Sequence, residues 1–399
     1  MVKLEEAREI LRKNIHPIKE MECVPIMDSI GRILAQDGVA IFDQPPFPRS
    51  PLDGYAVKGQ DTTGASQKEP KVFQVIGKIY AGQVFEGKVG VGQAVRIMTG
   101  APIPAGADTV IRQEDTDYGR EYVTIYQESA PYENYCDQGE DYRRGDRLIS
   151  KGRKLDGAAV AVLASMGIDQ VWVYRKPRVA VISTGDEVMQ PGMDLQPGKI
   201  YDSNLHYICG RLKEKNHPPV LYEHCMDRPE EMAARIKTAI PQADLIITTG
   251  GVSVGEKDIM HQVMKLLSAE KLFWQVDIKP GAPTLAMVCD HTLIISLSGN
   301  PYGAAANYEL LVRSVLEKLT GDSTWELQRK EAVLQNHYGK RRGVRRFLRG
   351  WEEEGKVWAV LGNQASGVLS SLLSSNCLIE IPENMEGAKK EEKVWIHII

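Results

Sequence analysis

Strand-like and helix-like segments alternate between residues 179 and 319, and this alternation restricts the fold more than any other feature. Apolar runs typical of strands occur at 179–183, 220–225, 245–249 and 292–297. Amphipathic patterns predict helices at 203–213, 229–240, 259–267 and 302–319. Strands separated by helices of this length imply right-handed crossovers and a largely parallel sheet. Such sheets bind ligands beyond the carboxyl ends of their strands.

Glycine-rich turns follow three of these strands. They are Thr184-Gly185-Asp186-Glu187, Gly250-Gly251-Val252-Ser253 and Ser298-Gly299-Asn300-Pro301. We expect the turns to converge at one sheet edge, because parallel strands end on the same side. Glycine lets backbone amides approach a ligand closely, so together the turns favour a phosphate-containing ligand. Any single one is also compatible with an ordinary tight turn.

Carboxylates accompany the turns. Asp186, Glu187, Asp227 and Asp258 are candidates to hold a magnesium ion beside a phosphate, since hard cations prefer oxygen ligands. Two of them have a purely structural alternative. Asp258 and Asp227 precede predicted helices and are typical N-cap residues.

Three further segments point to anionic ligands. Lys279 lies in a proline-stiffened turn that suits a fixed positive charge, although a solvated lysine is the alternative. The proline-rich segments 49–57 and 96–104 favour ligand contact over simple turn chemistry. Five arginines near residue 345 predict a local anion site lined by Ser366-Gly367, against a solvated loop or a nucleic-acid patch; they are Arg341, Arg342, Arg345, Arg346 and Arg349.

The 399 residues exceed the usual size of one hydrophobic core, so several domains are expected. Short β-rich runs fill residues 71–126 and return after 331, and helices are predicted at 5–14, 25–34 and 156–166. We predict four domains: a mixed N-terminal domain (1–45 and 142–176), an inserted β-rich domain (46–141), an α/β domain (177–325) and a β-rich C-terminal domain (326–399).

Composition excludes several classes of protein. Lys and Arg total 49 against 53 Asp and Glu, a net charge of −4, which argues against nucleic acid as the main partner. No apolar stretch approaches the length of a membrane span, and no secretory signal pattern is visible, so we expect a cytoplasmic protein. The six cysteines form no CxxC pair, which argues against zinc, and no phosphate-loop or nucleophile-elbow motif occurs.

Six motifs occur in the order seen in one family. They are Ser50-Pro51-Leu52-Asp53-Gly54-Tyr55-Ala56, Met98-Thr99-Gly100-Ala101, Ser183-Thr184-Gly185-Asp186-Glu187, Gly250-Gly251-Val252-Ser253-Val254-Gly255, Lys279-Pro280-Gly281 and Ser298-Gly299-Asn300-Pro301. Over nearly its whole length the chain resembles the molybdopterin molybdenumtransferases, and it is similar to the C-terminal domain of gephyrin. The resemblance implies an elongated homodimer whose subunit has a central α/β molybdopterin-binding domain with a mostly parallel sheet, a β-rich inserted domain and a β-barrel-like C-terminal domain.

The resemblance also implies an activity. Members of this family take adenylylated molybdopterin and molybdate, cleave the adenylate with Mg²⁺ present, and release AMP. A molybdopterin adenylyltransferase is then the expected upstream donor. Two other functions stay open: adenylyltransferase activity of this chain itself, and a non-enzymatic dimeric scaffold. The resemblance does not separate molybdate from tungstate as the preferred oxyanion.

Site residues follow from the resemblance by matching position. Asp186, Glu187, Asp227 and Asp258 resemble the carboxylates near the pterin phosphates and the metal. The residues that resemble the ligand cradle are Ser183, Thr184, Gly185, Gly250, Gly251, Ser253, Ser298, Gly299 and Asn300. Asp53 and Thr99 resemble functional positions that face the partner subunit. Lys279, Pro283, Arg349 and Ser366 resemble the molybdate pocket.

The chain departs from the family pattern at Ala282, where a second lysine is common. This removes one positive charge from the expected molybdate pocket, and Arg345 or Arg346 is the candidate replacement. The Arg49-Ser50-Pro51-Leu52 segment is a second departure, which brings an additional cation to the first motif.

Overall fold

A computed structural model describes residues 1–252, 258–339, 343–360 and 365–399. The chain forms two compact units. The first contains Met1–Glu22, Gly31–Ile33 and Val173–Ile399, and the second contains Cys23–Ile30 and Leu34–Trp172. Residues 1–22 therefore belong to the same compact unit as the α/β region, whereas we expected them beside 142–176. The division into four domains stays a prediction.

The helices of the described residues lie close to their predicted positions. They are α1 (Leu4–Lys13), α2 (Gly157–Ser165), α3 (Asn204–Glu214), α4 (Pro229–Ala239), α5 (Met260–Leu266), α6 (Pro301–Asn307) and α7 (Arg313–Thr320). A π-helical turn, Tyr308–Val312, joins α6 to α7, so the predicted helix 302–319 is continuous but locally underwound.

The strands fall into two groups along the chain. The first group is β1 (Met21–Pro25), β2 (Gly38–Val39), β3 (Gly54–Val57), β4 (Lys71–Ile79), β5 (Gln93–Ile97), β6 (Thr109–Arg112), β7 (Tyr122–Ile125), β8 (Arg147–Ile149) and β9 (Gln170–Tyr174). The second group is β10 (Val179–Thr184), β11 (Val188–Met189), β12 (Ile200–Tyr201), β13 (Leu221–Cys225), β14 (Leu245–Thr249), β15 (Glu270–Trp274), β16 (Ile278–Lys279), β17 (Leu285–Cys289), β18 (Thr292–Leu297), β19 (Arg329–Leu334), β20 (Tyr338–Gly339), β21 (Arg345–Glu353), β22 (Lys356–Ala359), β23 (Cys377–Ile381), β24 (Gly387–Ala388) and β25 (Lys393–Ile398).

A six-stranded sheet organises the first unit, with strand order β13-β10-β14-β18-β17-β15. The four strands from β13 to β18 run parallel, which confirms the predicted mostly parallel sheet. β17 and β15 extend it in antiparallel register, and neither strand was predicted from the sequence. Parallel pairing places the ends of β10, β14 and β18 at the same edge.

Side-chain alternation along β10 explains why helices cover both faces of this sheet. Val179 and Val181 pack into a core that includes Ile208 of α3. Ala180 and Ile182 point to the opposite face, in a separate core with Ile236 of α4. Successive strand residues point to opposite faces, so a strand buried on both sides is apolar throughout. No helix among the described residues is long and apolar enough to cross a membrane.

The C-terminal strands close into a ring. β21 pairs with β22, then β19, β25 and β23 follow, and β23 returns to pair with β21. This confirms the predicted β-barrel-like domain. β16, which ends at Lys279, pairs in parallel with β21 and so attaches the Lys279 turn to the barrel.

The second unit contains a five-stranded sheet of order β6-β3-β5-β4-β7, as the β-rich pattern predicted. The predicted helix at 25–34 is wrong. Only Ile26–Ser29 is helical, as a short 3-10 turn. Ile30 (ψ 128°) already leaves the helical conformation, and the left-handed Gly31 (φ +79°) follows it. α2 follows its prediction, with Asp156 accepting a hydrogen bond from the Ala159 amide at its start.

Candidate active site

The turns after β10, β14 and β18 meet at the carboxyl edge of the central sheet, as predicted. They enclose a cavity of about 470 Å³, which we call the turn cavity. The predicted site residues that line it are Ser183, Thr184, Gly185, Glu187, Asp227, Gly250, Gly251, Pro283, Ser298, Gly299 and Asn300. The convergence that the strand pattern predicted is therefore present in the structure.

Gly250 lets two of the turns touch through their backbones. Its φ is +94°, and a Cβ built on it would lie 2.1 Å from the Thr184 carbonyl oxygen. A Cβ on Gly299 would in turn lie 3.4 Å from the Gly250 Cα. At position 250 only glycine permits this packing, and it leaves the turn backbone open to a ligand.

We expect Gly250→Ala to lower the free energy of unfolding by about 1–3 kcal/mol, because alanine combines a strained φ with the clash against Thr184. Gly210 in α3 is the matched control, since a Cβ there meets nothing within 4 Å. Gly210→Ala should instead stabilise the protein by about 0.5–1 kcal/mol through helix propensity. Urea unfolding measures the free energy of unfolding of both variants. Equal changes in the two variants would contradict the close packing of Gly250 against Thr184.

Asp227 connects the turn after β13 to the turn after β10. Its Oδ1 accepts a hydrogen bond from Thr184 Oγ1 at 2.8 Å. Its backbone amide donates to Asp186 Oδ1 at 3.1 Å, and the Asp186 amide donates back to Asp227 Oδ2 at 3.4 Å. The structure gives Asp227 no side-chain capping bond to α4, so the N-cap alternative fails here. Asp227 instead presents a carboxylate to the turn cavity.

Asp258 has the structural role that was the alternative to metal binding, since it accepts a hydrogen bond from the first turn of a helix. Its Oδ1 accepts from the Met260 amide at 3.1 Å at the start of α5, and its Oδ2 lies 2.9 Å from His261 Nδ1. Within the described ranges, no group of three or more His, Cys, Asp or Glu side chains is arranged to hold a metal, and all six cysteines are free thiols. A magnesium site here would therefore need ligands from a substrate.

Two polar residues at the start of α3 were missed by the sequence analysis. Asn204 Nδ2 donates to Thr249 Oγ1 at 3.0 Å and to the Gly299 carbonyl at 2.8 Å, so it ties two of the turns together. Asp202 accepts from Ser183 Oγ at 2.5 Å and from the Leu205 amide at 3.0 Å. Both line the turn cavity. Their only sequence signal was a polar helix start, which N-capping also explains.

A second cavity of about 630 Å³ adjoins the first, and we call it the lysine cavity. The turn Lys279–Pro283 forms one wall, and Arg346, Tyr338 and Ser366 contribute others. Pro283, Ser298 and Asn300 line both cavities. A ligand in the turn cavity and a small anion in the lysine cavity would therefore be neighbours.

The strand register separates Arg346 from Arg345. Arg346 pairs with Lys279 across β16 and β21 and lines the lysine cavity, where its buried Nε has no hydrogen-bond partner among the described residues. Arg345 forms ion pairs with Glu5 and Glu380 instead. Of the two candidates to replace the missing lysine, the geometry favours Arg346.

Three family models match successive parts of the chain. They are the MoeA N-terminal region (domain I and II) at residues 2–167, a probable molybdopterin binding domain at 180–318, and the MoeA C-terminal region (domain IV) at 331–399. Molybdopterin molybdenumtransferase of Staphylococcus epidermidis is 35% identical over 391 residues, which cover 97% of this chain and 93% of the relative. The chain belongs to the molybdopterin molybdenumtransferase family.

Other relatives agree with this membership. The molybdopterin molybdenumtransferase of Bacillus subtilis is 35% identical over 400 residues, covering 98% of this chain and 93% of the relative. A crystal structure of the molybdopterin biosynthesis MoeA protein of Pyrococcus horikoshii superposes with a TM-score of 0.88, at 32% identity and with 100% of this chain and 99% of that chain covered. A Pyrococcus furiosus molybdenum cofactor biosynthesis protein has the same fold at 21% identity, with a TM-score of 0.61 and both chains fully covered.

Two residues expected in the molybdate pocket of this family member lie in different surroundings. Ser366 lines the lysine cavity, and its carbonyl accepts from the Tyr302 amide at 2.8 Å. Arg349 is fully buried, with its guanidinium 4.0 Å from the centre of the Tyr302 ring and a hydrogen bond to the Ala365 carbonyl at 3.3 Å. Burial lowers the pKa of Arg349. Arg349 thus supports the chain near Ser366 rather than lining the cavity.

Asp53 and Thr99 lie together on the second unit. The Thr99 amide and hydroxyl both donate to Asp53 Oδ1 at 2.8 Å, and these bonds lower the pKa of the Asp53 carboxyl. Thr99 therefore holds the Asp53 carboxylate in a fixed orientation. Ser253, Arg341 and Arg342 lie outside the described residues.

Proposed function

We propose that this chain transfers molybdenum to molybdopterin in molybdenum cofactor biosynthesis, using adenylylated molybdopterin and molybdate and releasing AMP. The observation that carries the proposal is the pair of adjoining cavities, which share Pro283, Ser298 and Asn300. One offers glycine backbone and the other offers two cations. Family membership supplies the chemical class of the reaction.

The turn cavity suits the phosphate-bearing pterin. Its backbone at Gly250 and Gly299 has no Cβ to hold a ligand away, and Asn204 fixes the distance between these turns. Preorganised amides lower the cost of binding a charged group, because they need no rearrangement when it arrives. The carboxylate of Asp202 adds a hydrogen-bond acceptor to the same wall.

The lysine cavity suits molybdate. Lys279 and Arg346 bring two positive charges to its lining. Asp277 is the one carboxylate among the described lining residues, and it pairs with Lys3 at a separation of 3.1 Å. Two anionic substrates repel each other in water, and fixed cations offset that repulsion in a partly enclosed cavity. Holding both substrates side by side also makes the transfer effectively unimolecular.

The residues present fit a magnesium ion that is completed by substrate. Asp227 and Glu187 line the turn cavity with hard oxygen donors. Mg²⁺ usually takes one or two protein carboxylates and fills its remaining positions with water and phosphate oxygens. Asp227 and Glu187 would hold the ion there, and it would supply charge neutralisation at the phosphates. Asp186 would act through its bonds to Asp227.

We also propose that the protein works as a cytoplasmic homodimer, supplied with substrate by a molybdopterin adenylyltransferase. In this arrangement Asp53 and Thr99 of one protomer would face the turn cavity of its partner. The fixed geometry of the Asp53 carboxylate supports a role at such an interface, since an oriented acceptor needs no reorganisation.

The test is incubation of the purified protein with adenylylated molybdopterin, molybdate and Mg²⁺. We expect AMP release, followed by chromatography, together with a pterin that activates a molybdenum-free molybdoenzyme. Absence of both products would overturn the proposal. Consumption of ATP with unmodified molybdopterin would instead indicate an adenylyltransferase. A protein that shows neither of these activities would favour the scaffold alternative.

Asp227→Asn should reduce the rate of AMP release by about 10- to 100-fold and raise the Mg²⁺ concentration needed for half-maximal rate. The substitution keeps the shape of the side chain but removes the charge that would hold the ion. Asp169→Asn, at an exposed position of the second unit, is the control and should leave both values unchanged. An unchanged Mg²⁺ requirement in Asp227→Asn would remove Asp227 from the proposed magnesium site.

A further inference from the structure

Asn307, the last residue of α6, is fully buried against the Lys279–Pro283 turn. Its Nδ2 donates to the Gly281 carbonyl at 3.0 Å and to Thr284 Oγ1 at 2.7 Å. Thr284 Oγ1 donates in turn to the same Gly281 carbonyl at 2.9 Å. The three groups form a closed set of hydrogen bonds at the tip of the turn.

The contact between Asn307 and the turn is very close. Gly281 has a φ of +93°, and a Cβ built on it would lie 2.1 Å from Asn307 Oδ1. The base of the turn is held separately, by bonds from the Val276 amide to the Ala282 carbonyl and from the Gln275 amide to the Thr284 carbonyl. Asn307 and the Thr284 hydroxyl therefore fix the tip, while the backbone of Gln275 and Val276, between β15 and β16, fixes the base.

α6 connects this contact to the turn cavity. The helix begins at Pro301, directly after Asn300, which lines both cavities, and it ends at Asn307. A Cβ built on Gly303, between these points, would lie 2.9 Å from Ser298 Oγ and 3.6 Å from the Gly281 nitrogen. This first segment of the helix thus packs against both the Lys279 turn and the Ser298 turn.

The chemistry of Asn307 argues against a purely stabilising role. Its Oδ1 is buried and has no hydrogen-bond partner among the described residues. A buried carbonyl oxygen without a partner costs stability, and an apolar side chain of similar size would avoid that cost. The presence of an amide is better explained by the groups that its Nδ2 orients, the Gly281 carbonyl and the Thr284 hydroxyl. Asn307 itself lines neither cavity.

We propose that Asn307, together with Thr284, is a positioning residue that sets the Lys279–Pro283 turn at the distance from the turn cavity that transfer requires. This inference rests on the proposed function. Lys279 reaches the lysine cavity from this turn, and Pro283 borders both cavities. Displacement of the turn by an ångström would misplace the oxyanion relative to the pterin, and errors of that size reduce rates strongly.

The test compares Asn307→Leu and Thr284→Val with the wild type. Thr284→Val removes the hydroxyl at nearly constant volume, and Asn307→Leu replaces the amide with an apolar side chain of the same branching but larger volume. We expect kcat/KM for molybdate to fall by about 10- to 100-fold, with the KM for adenylylated molybdopterin changed less than about twofold. Thr284→Ser keeps the hydroxyl and should restore most of the activity, which a mere packing role would not predict.

Thr248→Val is the matched control. Thr248 is a fully buried threonine in β14 whose Oγ1 has no hydrogen-bond partner among the described residues, and it does not line either cavity. Its replacement should leave both KM values unchanged. Thermal unfolding of every variant separates folding from activity, and Thr284→Val provides the answer if Asn307→Leu does not fold.

The outcomes distinguish this inference from the proposed function. Lower melting temperatures with unchanged molybdate kinetics would show that Asn307 and Thr284 are only structural, and would overturn the inference alone. Equal rises in the KM for molybdate and for the pterin would also overturn it, because the effect would not be confined to the turn. A wild-type protein without transfer activity would overturn the proposed function as well.

Discussion

Arg346→Ala is expected to raise the KM for molybdate by about 10- to 100-fold. Arg346 lines the lysine cavity beside Lys279, and no carboxylate of the described residues pairs with it. A charge-assisted hydrogen bond contributes about 1.5–3 kcal/mol, and each 1.4 kcal/mol corresponds to a factor of about ten in binding. Because Ala282 carries no charge, Lys279 and Arg346 would share the dianion. Replacing either residue should therefore raise the KM for molybdate, and replacing both should raise it further.

The experiment measures molybdate dependence of AMP release in Lys279→Ala, Arg346→Ala and the double variant. Arg346→Lys should recover part of the affinity, since it keeps a charge but not the planar donor group. Arg345→Gln is the matched control, because Arg345 is engaged by Glu5 and Glu380. It should lower stability and leave the molybdate KM unchanged. The reverse pattern, with Arg345 rather than Arg346 controlling KM, would contradict the assignment.

The position of the site was predictable because it follows from a general property of parallel sheets. Apolar runs before Thr184, Gly250 and Ser298 identified three strands, and parallel strands end at one edge. The prediction needed no knowledge of side-chain contacts. The turns were recognisable because glycine marks backbone that packs closely, as Gly250 does against Thr184.

Side-chain roles were less predictable because they depend on register and on distant partners. Adjacent arginines in a strand point to opposite faces, so only the pairing of β16 with β21 separates Arg346 from Arg345. The sequence around Asp258 and Asp227 is compatible with capping in both cases, yet only Asp258 contacts its own helix. Asn307 has no motif at all, because its partners lie more than 20 residues away.

The largest expected effect on stability comes from Glu380 in the C-terminal barrel. Its carboxylate is buried and accepts from His397 Nε2 at 2.9 Å, and it also pairs with Arg345 at 2.8 Å and Arg329 at 3.2 Å. We expect Glu380→Gln to lower the free energy of unfolding by about 3 kcal/mol at neutral pH, because His397 and Arg345 lose a buried anionic acceptor for their hydrogen bonds. Urea unfolding at pH 7 measures this value.

Glu380 should also make stability depend on pH in the acid range. Burial alone would raise the pKa of this carboxyl, but the hydrogen bond from His397 and the charges of Arg345 and Arg329 lower it to about 2 from an ordinary value of 4.5. A lowered pKa means that the stabilisation is complete above pH 4.5 and is lost as the pH falls towards 2. The difference corresponds to about 3 kcal/mol.

Glu380→Gln cannot titrate at this position, so its stability should fall less steeply than that of the wild type between pH 4.5 and 2. The exposed Glu353 of the same barrel is the matched control, and Glu353→Gln should change stability by less than about 0.5 kcal/mol at either pH. Parallel pH profiles for wild type and Glu380→Gln would show that the carboxylate is not held by these partners.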